Sequence, residues 1–336
     1  MNTLLTIESL YVDIPLAAGV LHAVRDVNFL VRRGETVSLV GESGCGKSLT
    51  SLAVMDLLPK QATCRAKQLV FDDQDLDSIG AHQMADIRGR DMAMIFQEPM
   101  TSLNPCYTIG NQLMETLRRH TDQSNSEARD RAVYLLEKVG ITAAASRLKQ
   151  YPHQLSGGLR QRIMIAMALM CGPSLVIADE PTTALDVTIQ AQILALLADL
   201  QKEFNTGMIL ITHDLGVVSR VADRVEVMYC GEVVEEGSVA EIFERPLHPY
   251  TQGLMACIPI PGKTLPGKHL GSIPGIVPTP IGDLKGCMFR NRCSYVMPEC
   301  AAARNIDLIE IAPYRGYRCL LSPEASSQKY KEGGTT

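Results

Sequence analysis

Gly41-Glu42-Ser43-Gly44-Cys45-Gly46-Lys47-Ser48 fits G-x-x-x-x-G-K-[ST], the pattern in which a glycine-rich loop wraps the phosphates of a nucleotide. Before it runs Glu35-Thr36-Val37-Ser38-Leu39-Val40, short, apolar and β-branched; after it comes Leu49-Thr50-Ser51-Leu52-Ala53-Val54-Met55, free of Gly and Pro. The spacing predicts strand, loop and helix in succession, the setting the motif requires. Its glycines permit a tight turn that aims backbone N–H groups inward, and with the helix N-terminus these form a nest for anions. Lys47 is placed to reach the β- and γ-phosphates and the Ser48 hydroxyl to coordinate Mg²⁺. Gly41 through Leu49 are therefore the expected nucleotide-binding residues.

The 336 residues suffice for a large core plus one smaller unit. The composition is 46% hydrophobic and 21% charged with a formal net charge of −5, which lacks the basic footprint of a nucleic-acid binder. Met1-Asn2-Thr3-Leu4-Leu5-Thr6 has no charged region followed by an apolar run, so no signal peptide is expected. The apolar stretch from Ile163 to Cys171 is too short to span a bilayer and predicts a buried helix. Membrane contact is expected through partners alone. Six cysteines are scattered (Cys45, Cys64, Cys106, Cys171, Cys230, Cys257), and a protein that handles ATP belongs in the reducing cytosol, where disulfides are rare.

Residues 4–14 and 23–31 alternate apolar and polar and predict strands of an antiparallel layer. Short strands follow at 68–71 and 91–96, and Pro99 and Pro105 predict a loop over 97–105. From about Tyr107 to Met170 the pattern turns helical, with Ser126 as an expected N-cap and Gly140 as a helix end. Strands at 175–178 and 208–211 enclose a helix carrying Ile193, Leu196, Leu197, Leu200 and Phe204, and 224–235 reads as a hairpin around Gly231. Strands alternating with helices imply a mostly parallel sheet. A Pro/Gly-rich stretch from Ile258 to Gly286 marks a boundary, and the polar tail from Pro323 is expected to be disordered.

Leu175-Val176-Ile177-Ala178-Asp179-Glu180 is an apolar strand ending in two carboxylates. Asp179 is suited to hold Mg²⁺ and Glu180 to polarise an attacking water as general base. Alone, such a pair is commonly a solvated turn; beside a phosphate loop it gains meaning. Upstream, Ser156 is a natural N-cap, and Gly157 and Gly158 leave the first helical N–H groups bare to meet a phosphate. A lone His after a strand is more often a capping or core residue, but Thr212-His213-Asp214 closes an ordered series: phosphate loop, Gln97, Ser-Gly-Gly helix, Asp179-Glu180, His213.

From Leu4 to about Gly237 this series resembles the nucleotide-binding subunit of ATP-binding-cassette (ABC) transporters. The resemblance implies an α/β P-loop ABC ATPase: a RecA-like core with an antiparallel β layer and a helical subdomain, followed by a small Cys-rich C-terminal extension. It implies that Gln97 senses the γ-phosphate and Mg²⁺, so that Ser48, Gln97 and Asp179 form the Mg²⁺ set, and that His213 contacts the γ-phosphate. Ser156, Gly157 and Gly158 would bind ATP held by an opposing subunit, with Asp186 of Ala184-Leu185-Asp186 in the loop crossing that interface. One phosphate loop and one signature per chain require two cassettes paired head to tail. Two departures stand out: Leu159 replaces the usual Gln of the signature, and the base-stacking aromatic falls at Ile14, with Tyr11 on the other face of the strand, which implies weak discrimination between ATP and GTP.

Cys287, Cys293, Cys300 and Cys319 give C-x5-C-x6-C-x18-C, with Arg290, Arg292, Arg315 and Arg318 interleaved to offset thiolate charge. The tight C-x2-4-C knuckle of structural zinc is missing, so a [4Fe-4S] cluster is the first expectation, with zinc or four plain buried thiols as alternatives. The segment resembles the extension of oligopeptide and dipeptide importer ATPases through Arg245-Pro246-Leu247-His248-Pro249-Tyr250-Thr251, Ser272-Ile273-Pro274-Gly275 and Gly286-Cys287. Gln97 to Pro105 and Tyr151-Pro152-His153 match the same branch. The domains expected are an ABC nucleotide-binding domain at 1–256 with its helical subdomain at about 98–172, a linker and Cys-rich extension at 257–322, and a tail at 323–336. The implied function is ATP hydrolysis energising peptide uptake from the cytoplasmic face of a bacterial inner membrane. Implied partners are a second, different cassette, two permease subunits and an extracytoplasmic solute-binding protein. Import of another solute such as nickel or glutathione, and a non-transport ABC ATPase, are the competing readings.

Overall fold

The structure, a computed structural model, describes residues 3–183, 185–258, 271–302 and 305–333. In chain order it opens with β1 (Thr3–Leu16), β2 (Gly19–Arg32), β3 (Thr36–Val40) and α1 (Lys47–Val54). Next come β4 (Thr63–Arg65), β5 (Gln68–Phe71), β6 (Gln74–Asp75), α2 (Ala81–Ile87) and β7 (Met92–Ile95). A helical stretch follows: α3 (Pro99–Ser102), α4 (Ile109–His120), α5 (Asn125–Lys138), α6 (Ala144–Arg147) and α7 (Gly157–Ala168). Then come β8 (Leu175–Asp179), α8 (Val187–Phe204), β9 (Gly207–Thr212), α9 (Leu215–Val221), β10 (Arg224–Tyr229) and β11 (Glu232–Ser238). The chain finishes with α10 (Val239–Glu244), α11 (Pro249–Ala256), α12 (Glu299–Ala302), β12 (Ile309–Ala312), β13 (Arg315–Tyr317) and α13 (Pro323–Gly333). It forms two compact units, one of Met1–Leu5, Leu30–Thr36 and Val70–Ile211, the other of Thr6–Phe29, Val37–Leu69 and Thr212–Thr336.

In the first unit β7 and β9 flank β8 in parallel, with Met92 opposite Leu175 and Leu175 opposite Gly207. Every residue of β8 and β9 is buried, so these strands read as unbroken apolar runs instead of alternating. Ile165 and Leu169 from the α7 end and Leu197 and Leu200 of α8 meet Ile95, Val176 and Met208 around one small cavity. Ser156 caps α7, its Oγ accepting from the Leu159 N–H. Two local expectations are corrected. The cap of α5 is Ser124, not Ser126, because Ser124 and Glu127 complete a reciprocal capping box. A helical turn, α3, stands where 97–105 reads as loop, because Pro99 occupies the first helical position, where its missing N–H is no loss.

In the second unit the phosphate-loop strand β3 runs parallel to β10, with Val40 opposite Val227. β10 pairs antiparallel with β11, β11 with β13 and β13 with β12. Cys230 and Gly231, both at positive φ, turn the β10–β11 hairpin, and the Gly231 N–H donates to the Cys45 carbonyl at 2.9 Å. The hairpin thus braces the loop it lies behind. In the antiparallel layer of this unit β4 pairs with β1, Tyr11 opposite Arg65. The tail differs from expectation: Pro323–Gly333 is helical. Ser322 caps it through the Ala325 N–H, and buried Ser326 hydrogen-bonds the Leu247 carbonyl and Gln252, which a polar composition does not reveal. Among the described residues no helix is long and apolar enough to cross a membrane.

Candidate nucleotide-binding site

The phosphate loop sits between fully buried β3 and α1, so its ends are fixed while Ser43 and Gly44 are exposed. Gly46 has φ +108, and a Cβ there would lie 2.5 Å from the Ala23 carbonyl oxygen, so only glycine allows the approach. Lys47 is buried, its Nζ donating to the carbonyls of Gly41 at 2.8 Å and Glu42 at 3.1 Å, with Cys45 Sγ 3.6 Å away. The ammonium is thus held inside the curl of the loop, where a phosphate can exchange for those carbonyls. Burial pushes the Cys45 thiol up, with the Lys47 ammonium opposing it. In the same unit His213 is exposed just past β9, followed by Asp214, which caps α9 through the Gly216 N–H at 2.8 Å.

Glu42 is held more tightly than its place in an open loop suggests. Its N–H donates to the Tyr250 hydroxyl at 2.8 Å, and its carboxylate takes both prongs of Arg292, at 2.6 and 2.9 Å. Tyr229, Tyr250 and Phe289 pack around this link with ring centroids 4.6–5.5 Å apart.

In the other unit Asp179 ends β8, buried, and Glu180 follows at φ +44, a conformation uncommon for a residue with a Cβ. The Glu180 N–H donates to the Ile211 carbonyl at 3.0 Å, which fixes the backbone just past the strand. One carboxylate oxygen accepts from both Gln97 Nε2 and Thr183 Oγ1, each at 2.9 Å. Gln97 and Glu180 are therefore in contact at the end of β8, next to Asp179. Thr183, a further donor to the carboxylate, was not singled out; its position three residues beyond Glu180 was the available signal. At the start of α7 Ser156 and Gly157 are exposed, while Gly158 lies against Ile189 of α8. Asp186 caps α8 through the Thr188 and Ile189 N–H groups at 3.1 and 3.0 Å; Ala184 lies outside the described residues. Ile14 is buried, and the Arg65 guanidinium stacks on Tyr11 at 4.6 Å.

Cys287, Cys293, Cys300 and Cys319 line one cavity with His248, Phe289, Arg290, Tyr295 and Met297. Burial pushes the thiols of Cys287, Cys293 and Cys319 up to about 11, so they are neutral thiols without a metal to deprotonate them. Yet among the described residues no group of three or more His, Cys, Asp or Glu side chains is set to hold a metal ion, so the iron-sulfur expectation finds no preformed ligand cage. The arginines expected to offset thiolate charge are committed to oxygen acceptors. Arg292 serves Glu42, Arg315 serves Glu235 at 2.7 Å, Arg318 the carbonyls of Val233 and Ile306, and Arg290 those of Lys285 and Cys287.

Strand, glycine loop, helix and carboxylate-tipped strand define a P-loop nucleotide-binding α/β protein. Residues 24–183 match the family model described as ABC transporter, and residues 234–300 that described as Oligopeptide/dipeptide transporter, C-terminal region. Among curated relatives, the oligopeptide transport ATP-binding protein AppD of Bacillus subtilis is 48% identical over 98% of this chain and 100% of its own length. The dipeptide transport ATP-binding protein DppD of Escherichia coli is 48% identical over 89% of this chain and 91% of that protein. Among solved structures, a dimeric bacterial ABC transporter cassette superposes with a TM-score of 0.62 at 27% identity, covering 70% of this chain and 98% of that one. The chain belongs to the ABC transporter family, in the branch of oligopeptide and dipeptide transport ATP-binding proteins.

Proposed function

We propose that this chain is the ATP-hydrolysing subunit of a bacterial ABC importer for di- and oligopeptides. The observation that carries the reading is similarity at 48% identity along essentially the whole length of a peptide-transport relative, the cassette and the C-terminal region together. In this reading Lys47 and the loop N–H groups of Gly41 to Leu49 bind the β- and γ-phosphates, and Ser48, Gln97 and Asp179 form the Mg²⁺ set. Glu180 takes a proton from water as its oxygen bonds to the γ-phosphorus and the bond to the ADP oxygen breaks. Gln97 and Thr183 hold the Glu180 carboxylate in register for that step. Ser156, Gly157, Gly158 and Asp186 serve the nucleotide of a second cassette, and His213 the γ-phosphate of this chain's own. The γ-phosphate then favours the closed pair and hydrolysis the open one, which drives the permeases.

The partners proposed are a different second cassette, two permease subunits and an extracytoplasmic solute-binding protein, with this chain on the cytoplasmic face of the inner membrane. Glu180→Gln tests the assignment of the base: hydrolysis should fall by roughly a hundredfold or more while ATP binding persists and an ATP-bound pair of cassettes accumulates on gel filtration. An unchanged rate refutes the base.

A [4Fe-4S] cluster on Cys287, Cys293, Cys300 and Cys319 is proposed on their place in the lining of one cavity, and the four thiols would have to draw closer together to ligate it. Anaerobic purification followed by iron and sulfide analysis should find about four of each per chain. Zinc, or no metal, removes the cluster.

A further inference from the structure

The three stretches that mark the peptide-transport branch beyond the cassette meet at one residue of the phosphate loop. Tyr250, from Arg245 to Thr251, accepts the Glu42 N–H through its hydroxyl. Arg292, in the segment that opens at Gly286-Cys287, takes both oxygens of the Glu42 carboxylate. Ser272-Ile273-Pro274-Gly275 cradles that arginine: Ile273 and Pro274 offer carbonyls at 3.1 and 3.0 Å, and Gly275, at φ +86, leaves room for the stem, since a Cβ there would lie 3.1 Å from Arg292 Cγ. The arginine side chain is 3% exposed and the glutamate 30%, so the pair is shielded from salt on one side and opens toward the loop on the other.

Glu42 presents an electrostatic problem that this arrangement solves. It is an anion inside a nest built for phosphates, and left unpaired it would repel a nucleotide. The planar guanidinium matches the carboxylate fork to fork, which both neutralises the charge and fixes its direction, a task a lysine performs less well. We propose that Arg292 is a positioning residue for nucleotide binding: the C-terminal segment neutralises Glu42 and turns its carboxylate away from the incoming phosphates. This deepens the reading of the chain as a nucleotide-binding subunit and rests on it. A C-terminal segment more than two hundred positions away is thereby part of the phosphate site.

Calorimetric titration of the full-length chain with MgADP, which cannot be hydrolysed, reads the effect directly. Arg292→Leu should weaken binding about tenfold, and Arg292→Lys, which keeps charge but not the fork, by less. Glu42→Gln alone sets the reference affinity of a loop without the carboxylate charge. The deciding variant is Arg292→Leu with Glu42→Gln, which removes the unpaired charge and should bind within about threefold of Glu42→Gln alone, against the tenfold loss that Arg292→Leu causes in the wild-type loop. A role of Arg292 confined to holding the Ile273 and Pro274 carbonyls predicts no such rescue, and denaturation of each variant separates a change in affinity from a change in stability. If the leucine variant does not fold, the lysine variant and its pairing with Glu42→Gln carry the same comparison. Unchanged affinity in a folded Arg292 variant, or a double variant no better than the single, overturns the proposal. A wild-type chain that binds no MgADP overturns the nucleotide-site reading itself.

Discussion

Gly46 shows how much one missing Cβ matters to this site. Its φ of +108 and the 2.5 Å between a hypothetical Cβ and the Ala23 carbonyl mean that Gly46→Ala must move backbone, not a flexible side chain. The variant should lose nucleotide binding by more than tenfold and lose about 2 kcal/mol of stability, measurable by calorimetric titration and chemical denaturation. Gly46 and Lys47 were legible in the sequence because the loop motif is local: eight consecutive residues carry the geometry. Glu42 was legible as a loop residue but not as half of a pair, since Arg292 lies 250 positions away and its neighbours are cysteines that invite another explanation for its charge. Periodicity and motif spacing carry no information about such a contact.

At the scale of elements, the apolar strands and the larger helices were legible because burial on both faces, or on one stripe, writes itself into the composition. The elements misjudged were short or polar ones decided by capping and docking: α3 by proline at its first position, α13 by Ser322 and the buried Ser326. α11 carries a pH dependence of its own. Its cap, His248, is fully buried with Nδ1 accepting the Tyr250 N–H at 3.1 Å, and desolvation, helped by the Arg318 charge, pushes the imidazole from 6.5 down to about 3. The folded chain therefore resists a proton that the unfolded chain accepts below 6.5, so stability present above pH 6.5 is lost as pH falls toward 3, at up to about 1.4 kcal/mol per pH unit. Buried Glu235, whose carboxylate accepts the His248 N–H and is pushed up by burial, acts in the opposite sense. The comparison of wild type with His248→Gln isolates the histidine: their denaturation midpoints should keep a constant offset above pH 6.5 and converge below it. An offset independent of pH contradicts a neutral buried imidazole.

The whole molecule joins two levels of organisation: a cassette shared with a very broad family and a C-terminal region shared with peptide transporters, the second reaching into the phosphate loop of the first. Gln97, Asp179 and Glu180 gather within one compact unit, and the phosphate loop, His213 and the cysteine-lined cavity lie within the other. The motifs along the chain were legible one by one, while the use of the four arginines depended on packing that no motif encodes. In the function proposed, hydrolysis serves peptide entry. It is tested most directly by ATP turnover of the chain assembled with the proposed second cassette, permeases and solute-binding protein in vesicles, with and without di- and oligopeptides, against the Glu180→Gln assembly as the blank. Turnover should rise several-fold only when peptide and binding protein are both present and should vanish in the variant. Turnover indifferent to peptide and to the permeases would contradict it and leave an ATPase with another task.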